Sequence, residues 1–358
     1  MGTRKIPCVI MRGGTSRGPY FRASDLPQDI AERDRILLSV MGSPHPMQLD
    51  GIGGSYTVTS KVAIVGPSDR GDADVDYLFA QVSVDEAIVD TKPNCGNMLS
   101  GVGPFAIEEG MVPAQDPVTR VRVHNVNTGA LVEETVQTPG GKVTYEGDQA
   151  IDGVNGTAAP IRMAFTNTEG AVTGALFASG ERCEEIEGIP VTLIDNAMPM
   201  MLLRAEAVGL RGDETADEID GMAEMHAKVE RLRLEAGRRM GLGDVSDLVT
   251  PKVGLLSAPR QGGTIASRYL TPHQCHRSHA ATGAICLATA CCTEGTVAAD
   301  IIGGPIRESG TVVIEHPSGQ IPVAVELAPD GDGGMRVARV EILRTARRIF
   351  EGYVWVPD

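Results

Sequence analysis

The chain has 358 residues, of which 42% are hydrophobic and 22% charged, and its formal net charge at pH 7 is −15. This composition is typical of a globular protein with one large domain or two ordinary ones. The strong negative charge, without any basic stripe interleaved with aromatic residues, argues against nucleic acid as a partner. No apolar run approaches the roughly 20 residues of a membrane span, and no signal-peptide core is present, so we expect a cytoplasmic protein without a membrane partner.

Seven cysteines are present, and their spacing is irregular. An odd, irregular set of this kind disfavours a disulfide framework and suits a reducing compartment.

Short runs rich in Val and Ile, bounded by Gly, Pro, Asp or Asn, recur along the chain and predict β-strands. The clearest are residues 5–11, 61–66, 75–84, 119–126, 191–196, 311–316 and 321–328. Three segments predict helices instead. They are residues 97–109 behind the candidate N-cap Asn94, the amphipathic residues 214–240, and residues 278–292, which are small and apolar enough to be buried on all sides.

Each half of the chain thus has many strands and one small-residue helix preceded by a polar loop. This arrangement predicts an α+β protein with two related domains, each a curled β-sheet around a central helix. The polar stretch at residues 179–188 is the best boundary, which gives an N-terminal domain at 1–184 and a C-terminal domain at 185–358.

Cys95 lies in the polar loop Asn94-Cys95-Gly96-Asn97 at the predicted start of the first small-residue helix. Unpaired backbone N–H groups and the positive end of the helix dipole favour a thiolate there. Gly96 allows close approach of a ligand, and the free N–H groups can hold a carboxylate. The alternative is a buried structural cysteine.

Lys61 follows a loop with three glycines and opens an apolar run. Partial burial would favour the neutral amine that a general base requires. The alternative is a lysine at a strand end whose ammonium group reaches solvent.

Residues 11–18 carry two cations and two hydroxyls, together with three glycines, directly after a strand. This pattern predicts an anion-binding turn, although a plain glycine turn between strands is equally compatible with it. The candidate ligand-binding residues are Arg12, Thr15, Ser16 and Arg17.

Residues 273–279 concentrate histidine and cysteine, so a metal site must be weighed. Adjacent Cys275 and His276 cannot easily converge with His273 and His279 on one tetrahedron, and no second cluster has ligand spacing. We therefore expect no metal, and expect Arg277, Ser278 and Thr282 to face an anion at the start of the second small-residue helix. The fingerprints of serine hydrolases, zinc proteases and dinucleotide-binding enzymes are absent.

Several segments, taken in order, resemble successive blocks of the 2-methylaconitate cis-trans isomerase family, within the diaminopimelate-epimerase-like superfamily. They are MRGGTSRGPYF, DGIGGSYTVTSKVAIV, DVDYLFAQVSVDEAIVD, NCGNMLSGVGPFAIEEG, LSAPRQGGTI, HRSHAATGAICLATA and RTARRIFEGYVWV. The wording of residues 84–110 and 243–264 is closest to the 4-oxalomesaconate tautomerase branch of that family.

The resemblance implies two pseudo-symmetric domains, each a barrel-like sheet around a central helix. It also implies a cofactor-free, metal-free shift of a double bond in an unsaturated di- or tricarboxylic acid, in which Lys61 and Cys95 transfer the protons. The polar loops would hold substrate carboxylates, through Arg12, Thr15, Ser16, Arg17, Asn94, Gly96, Asn97, Arg277, Ser278, His279 and Thr282. The oligomeric state stays open, with a homodimer as one option.

Two features of this sequence depart from the wider family. Epimerases of the superfamily have a second cysteine at the second helix, whereas residues 278–283 contain none, which disfavours two-thiol epimerisation. Arg17 also stands where a lysine is expected. The sequence therefore predicts an isomerase of 4-oxalomesaconate, with 2-methylaconitate or a related methylene-dicarboxylate as the alternative substrate and a non-catalytic binding protein for small acids as the alternative class.

Overall fold

The computed structural model describes residues 2–92, 94–166, 168–329 and 335–357. Within these ranges the chain forms runs of two to six strands, and one or two α-helices separate each run from the next. The strands are β1 (Thr3–Gly13), β2 (Ser16–Arg22), β3 (Lys61–Pro67), β4 (Val75–Val82), β5 (Val89–Asp90), β6 (Val118–Asn125), β7 (Leu131–Gln137), β8 (Pro160–Thr166), β9 (Glu184–Ile186), β10 (Ile189–Asp195), β11 (Pro199–Arg204), β12 (Lys252–Ser257), β13 (Ile265–Leu270), β14 (Gly310–His316), β15 (Gly319–Pro329) and β16 (Met335–Pro357). The helices are α1 (Ile30–Met41), α2 (Gly96–Leu99), α3 (Val102–Glu108), α4 (Ala216–Asp220), α5 (Ala223–Arg239), α6 (Ala281–Cys292) and α7 (Val297–Ile301).

The chain divides into two compact units at a different place from the predicted boundary. Unit 1 consists of Met1–Met163 together with Leu343–Asp358, and unit 2 consists of Ala164–Ile342. The C-terminal segment belongs to unit 1 because β16 pairs antiparallel with β1, from Thr3↔Pro357 to Gly13↔Ala346. The polar stretch at 179–188 therefore lies inside unit 2, where part of it forms β9.

In unit 1 the strand order is β1-β2-β3-β4-β6-β7-β8-β16, and β16 pairs in turn with β1, so the strands close into an eight-stranded barrel. Neighbouring strands alternate between antiparallel and parallel pairing from β1 to β7. The short helices α2 and α3 contact strands from both halves of this order: α2 packs on β1, β2 and β3, and α3 on β3, β6 and β7. The sheet therefore curls around these helices, while α1 packs against the other face of the sheet.

Unit 2 repeats the arrangement of unit 1. Its strand order is β9-β10-β11-β12-β13-β14-β15-β16, and from β10 to β15 antiparallel and parallel pairs alternate as in unit 1. Helix α6 contacts β10, β11, β14 and β15, and every one of its residues is buried. The predicted α+β fold, with two related curled sheets around central helices, is confirmed.

Two predicted helices are interrupted. Residues 97–109 form α2 and α3, because Pro104 lacks the N–H that a continuous helix would need at that point. Residues 214–240 form α4 and α5, with Gly221 as the C-cap of α4. No helix in the described part of the chain has both the length and the hydrophobicity needed to cross a membrane.

Candidate active site

Cys95 is the N-cap of α2, one residue after the predicted N-cap Asn94. Its side chain makes no capping hydrogen bond, and 9% of its surface is exposed. The backbone carbonyl of Cys95 accepts from the Tyr77 hydroxyl at 3.3 Å. Since α2 is only one turn long, its dipole at Cys95 is smaller than that of the thirteen-residue helix that the sequence predicts.

Lys61 is the first residue of β3 and is half-buried. Its Nζ donates to Gln81 Oε1 at 2.6 Å and lies 5.0 Å from the centre of the Phe79 ring. In the described ranges no carboxylate lies within ion-pair distance of this ammonium group. Gln81 is itself fixed, because its Nε2 donates to the carbonyl of Ser60 at 2.8 Å. No sequence pattern points to Gln81, because only the pairing of β3 with β4 places it opposite Lys61.

The elements that carry Lys61 and Cys95 are in contact within unit 1. Helix α2 packs on β3, and Gly18 of β2 fills the space between the two elements. A Cβ on Gly18 would collide with the carbonyl oxygen of Lys61 and would lie 3.3 Å from Cε of Met98. Only glycine allows this close approach.

The turn between β1 and β2 packs on α2, and its predicted ligand-binding residues have different surroundings. Arg12 Nη1 donates to the carbonyls of Gly14 at 2.8 Å and Thr345 at 3.0 Å, so this guanidinium anchors the turn. Burial, together with nearby Arg347, lowers the pKa of Arg12. Ser16 is buried.

Arg17 contacts the glycine-rich loop before β3, and Thr15 contacts helix α2. The guanidinium of Arg17 lies against Gly54, whose Cβ, if present, would be 2.8 Å from Nη2. No ion pair of Arg17 occurs in the described chain. Thr15 Oγ1 accepts from Asn97 Nδ2 at 3.0 Å.

Both predicted asparagines are engaged by the protein. Asn94 Oδ1 accepts from Asn125 Nδ2 at 2.6 Å. Asn97 Oδ1 accepts from Arg344 Nε at 3.2 Å, and Gly96 beside it is buried in α2. The asparagine side chains therefore position other groups of unit 1.

Arg344 is the second residue that the sequence did not reveal. It lies on β16 among three other arginines within residues 339–348, so no pattern distinguishes it. Only 7% of its surface is exposed, and burial lowers the pKa of Arg344 to about 10.

In unit 2, the predicted ligand-binding residue Arg277 has a carboxylate partner within the protein. Its guanidinium pairs with Asp217 at 2.6 Å, and both side chains are 74% exposed. The other three candidates lie near the start of α6, and Thr282 is buried in its first turn. The backbone N–H of Ser278 donates to His276 Nδ1 at 3.0 Å. His279 forms a hydrogen bond through Nε2 with Ser267 Oγ at 3.2 Å.

The histidines and cysteines at residues 273–279 do not converge. The backbone N–H of Cys275 donates to Asp220 at 2.6 Å, and the Cys275 thiol points to the carbonyl of His276, whereas His273 lies 4.0 Å from Glu230. Across the described residues no three His, Cys, Asp or Glu side chains gather in a way that could hold a metal ion.

The residue in unit 2 that corresponds to Cys95 is Ala280. Each is the N-cap of the central helix that follows the β3–β4 or β12–β13 pair. The position in unit 2 that corresponds to Cys95 therefore carries no thiol.

The repeated α+β units define the class of protein. A hydroxyproline epimerase from Agrobacterium vitis, crystallised with trans-4-hydroxy-L-proline, has the same fold, with a TM-score of 0.56, 14% sequence identity and coverage of 99% of this chain and 94% of that one. The crystal structure of a methylitaconate-delta-isomerase is more similar, with a TM-score of 0.86, 39% identity and coverage of 99% and 96%. This chain therefore has the fold of these two enzymes.

The chain belongs to the PrpF protein family, whose sequence profile matches residues 3–357. The (4E)-oxalomesaconate Delta-isomerase of Novosphingobium sp. (strain KA1) is 49% identical over 350 residues, which cover 98% of this chain and 97% of that protein. The relatives are isomerases of unsaturated carboxylic acids, and this chain is an isomerase.

Proposed function

We propose that this isomerase moves a carbon–carbon double bond in an unsaturated tricarboxylic keto acid, 4-oxalomesaconate, by proton transfer at Lys61 and Cys95. The observation that carries the proposal is that one thiol and one amine lie on contacting elements of unit 1, while Ala280 occupies the corresponding position of unit 2. A thiol in each unit would instead favour racemisation at a single carbon.

The proposed reaction is a 1,3-proton shift. One of the two groups removes a proton from the carbon next to the double bond, and the electron pair moves into the conjugated carbonyl to give a dienolate. The other group returns a proton two carbons away, so the double bond moves and the overall composition of the acid is unchanged. Lys61, whose Nζ is held by Gln81, and Cys95, whose thiol makes no capping bond, are both available for this exchange.

The names of two relatives support this choice of substrate. The Novosphingobium protein, at 49% identity over nearly the full chain, is named for (4E)-oxalomesaconate, and the crystal structure at 39% identity is named for methylitaconate. The higher identity favours 4-oxalomesaconate. The alternative substrate is 2-methylaconitate or a related methylene-dicarboxylate.

Proton NMR in deuterium oxide tests the proposal with a panel of unsaturated di- and tricarboxylates. We expect deuterium to enter an allylic carbon of 4-oxalomesaconate as the double bond moves. Because each proton transfer needs its own group, Cys95→Ser and Lys61→Met should each reduce the rate by at least about 100-fold. Cys183→Ser is the matched control, since Cys183 is exposed in unit 2 and its loss should leave the rate unchanged.

Two results would overturn the proposal. Exchange restricted to the α-carbon of an amino acid would indicate an epimerase. Binding of the acids without exchange, unaffected by either substitution, would indicate the non-catalytic binding protein.

A further inference from the structure

Two arginines on β16 lie four residues apart and have different electrostatic surroundings. Arg348 is paired with three carboxylates, those of Glu108, Glu109 and Glu351. Arg344 donates only to neutral acceptors, from Nε to Asn97 Oδ1 at 3.2 Å and from Nη1 to the carbonyl of Leu343 at 3.0 Å. Within the described ranges no carboxylate compensates the charge of Arg344.

An unpaired buried guanidinium is unfavourable in a folded protein. Arg344 is 93% buried, with 7% of its surface exposed, and arginine stays protonated at neutral pH. Buried charges normally have an opposite charge or a ligand as partner, because the loss of hydration is otherwise uncompensated. An anion that binds next to Arg344 would supply the missing partner.

The hydrogen bonds of Arg344 leave it free to bind such an anion. A guanidinium has five N–H groups, of which two are used, so three remain. Two N–H groups in this planar arrangement match the two oxygens of a carboxylate. Asn97 fixes the orientation, because it accepts from Arg344 and donates to Thr15.

The position of Asn97 connects this guanidinium to the proposed reaction. Asn97 is in the first turn of α2, two residues after the N-cap Cys95. Arg17 of the same unit also has no ion pair in the described chain. Arg17 and Arg344 are therefore arginines of unit 1 whose charge no carboxylate of the described chain compensates, although the net charge of the whole chain is −15.

We propose that Arg344 binds one carboxylate of the substrate and makes the active site select acids with more than one carboxylate. The role of Arg344 in substrate selection rests on the proposed function. Its binding of a carboxylate does not, because binding can be measured without turnover. Arg344 is then a specificity-determining residue.

Steady-state kinetics of Arg344→Gln with a tricarboxylate and with its monoamides test the proposal. We expect KM for the tricarboxylate to rise about 10- to 100-fold, the range for losing a hydrogen-bonded charge partner, with a smaller change in kcat. One monoamide, that of the carboxylate bound by Arg344, should be turned over equally by wild type and variant. Arg344→Lys, which keeps the charge but not the planar pair of donors, should recover part of the loss.

Arg348→Gln is the matched control on the same strand. Its partners are all within the protein, so it should lower the melting temperature and leave every KM unchanged. Equal KM values for wild type and folded Arg344→Gln with all acids would overturn the proposal.

Titration calorimetry separates this proposal from the proposed function. If the wild type catalyses no exchange in any unsaturated acid, the proposed function fails, and the affinity for the same acids still tests Arg344. Unchanged affinity in Arg344→Gln would then overturn the carboxylate site, whereas a 10- to 100-fold loss would support it.

Discussion

At the scale of single residues, Glu134 of unit 1 has a carboxyl group whose pKa is shifted strongly from its ordinary value. It lies on β7 and its side chain enters the barrel, where Oε2 accepts from the backbone N–H of Gly103 at 2.8 Å. Its Oε1 has no partner. Burial raises the pKa of Glu134 from 4.5 to about 8, so the carboxyl group is mostly protonated at neutral pH.

This raised pKa predicts a particular dependence of stability on pH. The folded-state pKa lies above the unfolded value, so the folded chain binds more protons between about pH 4.5 and 8. The stabilisation is complete below that window and is lost as the pH rises through it. For Glu134→Gln we expect the plot of unfolding free energy against pH to lose a downward slope of up to about 1.4 kcal/mol per pH unit.

Urea unfolding of wild type and variant between pH 5 and pH 8 measures this slope. Glu133→Gln, the neighbouring glutamate on the same strand, is the control, and it should retain the wild-type slope. Parallel curves for wild type and Glu134→Gln would show that Glu134 is ionised in the folded protein.

Some residues of the candidate site can be predicted from the local sequence, and others cannot. The local sequence makes Cys95 and Lys61 candidates, and the resemblance to a known isomerase family is what implies their roles in proton transfer. Gln81 and Arg344 do not stand out, because their importance comes from what they contact. The structure fixes Lys61 to Gln81 and Asn97 to Arg344, and neither pairing has a signature in local sequence.

At the scale of elements, β2, β3 and α2 form the platform of the site. Gly18 lets β2 approach β3 so closely that any side chain would overlap the carbonyl of Lys61. The parallel pairing of β2 with β3, in the register Tyr20↔Ala63, therefore depends on a glycine at this position.

Gly18→Ala should disturb this platform. The backbone of Lys61 must move to relieve the overlap, so we expect a loss of about 1–3 kcal/mol in unfolding free energy. A displacement of about 1 Å in Lys61 should lower kcat/KM about 100-fold. Denaturant unfolding and steady-state kinetics measure the two effects.

The control for Gly18→Ala is Gly71→Ala, in the turn between β3 and β4. A Cβ there would meet nothing within 4 Å, so stability should change by less than about 0.5 kcal/mol. Full activity and stability in Gly18→Ala would contradict the close packing of β2 on β3.

At the scale of the whole molecule, the two units repeat one strand order, but the chain does not visit them in turn. It builds most of unit 1, then all of unit 2, and returns to unit 1 with residues 343–358. The closure of the barrel of unit 1 thus depends on the last segment of the chain, which pairs with β1.

Ending the chain at Ile342 should unfold unit 1 selectively. Without the strand that pairs with β1, the barrel has open edges and loses the cooperativity of its core. In hydrogen exchange we expect the amides of β3 and β4 to lose protection, while those of β11 to β13 stay protected. A chain that ends at Pro357 is the control, and retained protection of β3 and β4 in the shorter chain would contradict the prediction.

The sequence by itself determined the fold class, seven of the strands and the two residues proposed to transfer protons. Strand periodicity and the small-residue composition of the central helix in unit 2 are local properties, so they can be read along the chain. The tertiary structure decided the unit boundary, the surface ion pair of Arg277 and the uncompensated charge of Arg344. Each of these depends on which distant residues come together, such as β1 with β16 or Asn97 with Arg344, and no local pattern encodes that pairing.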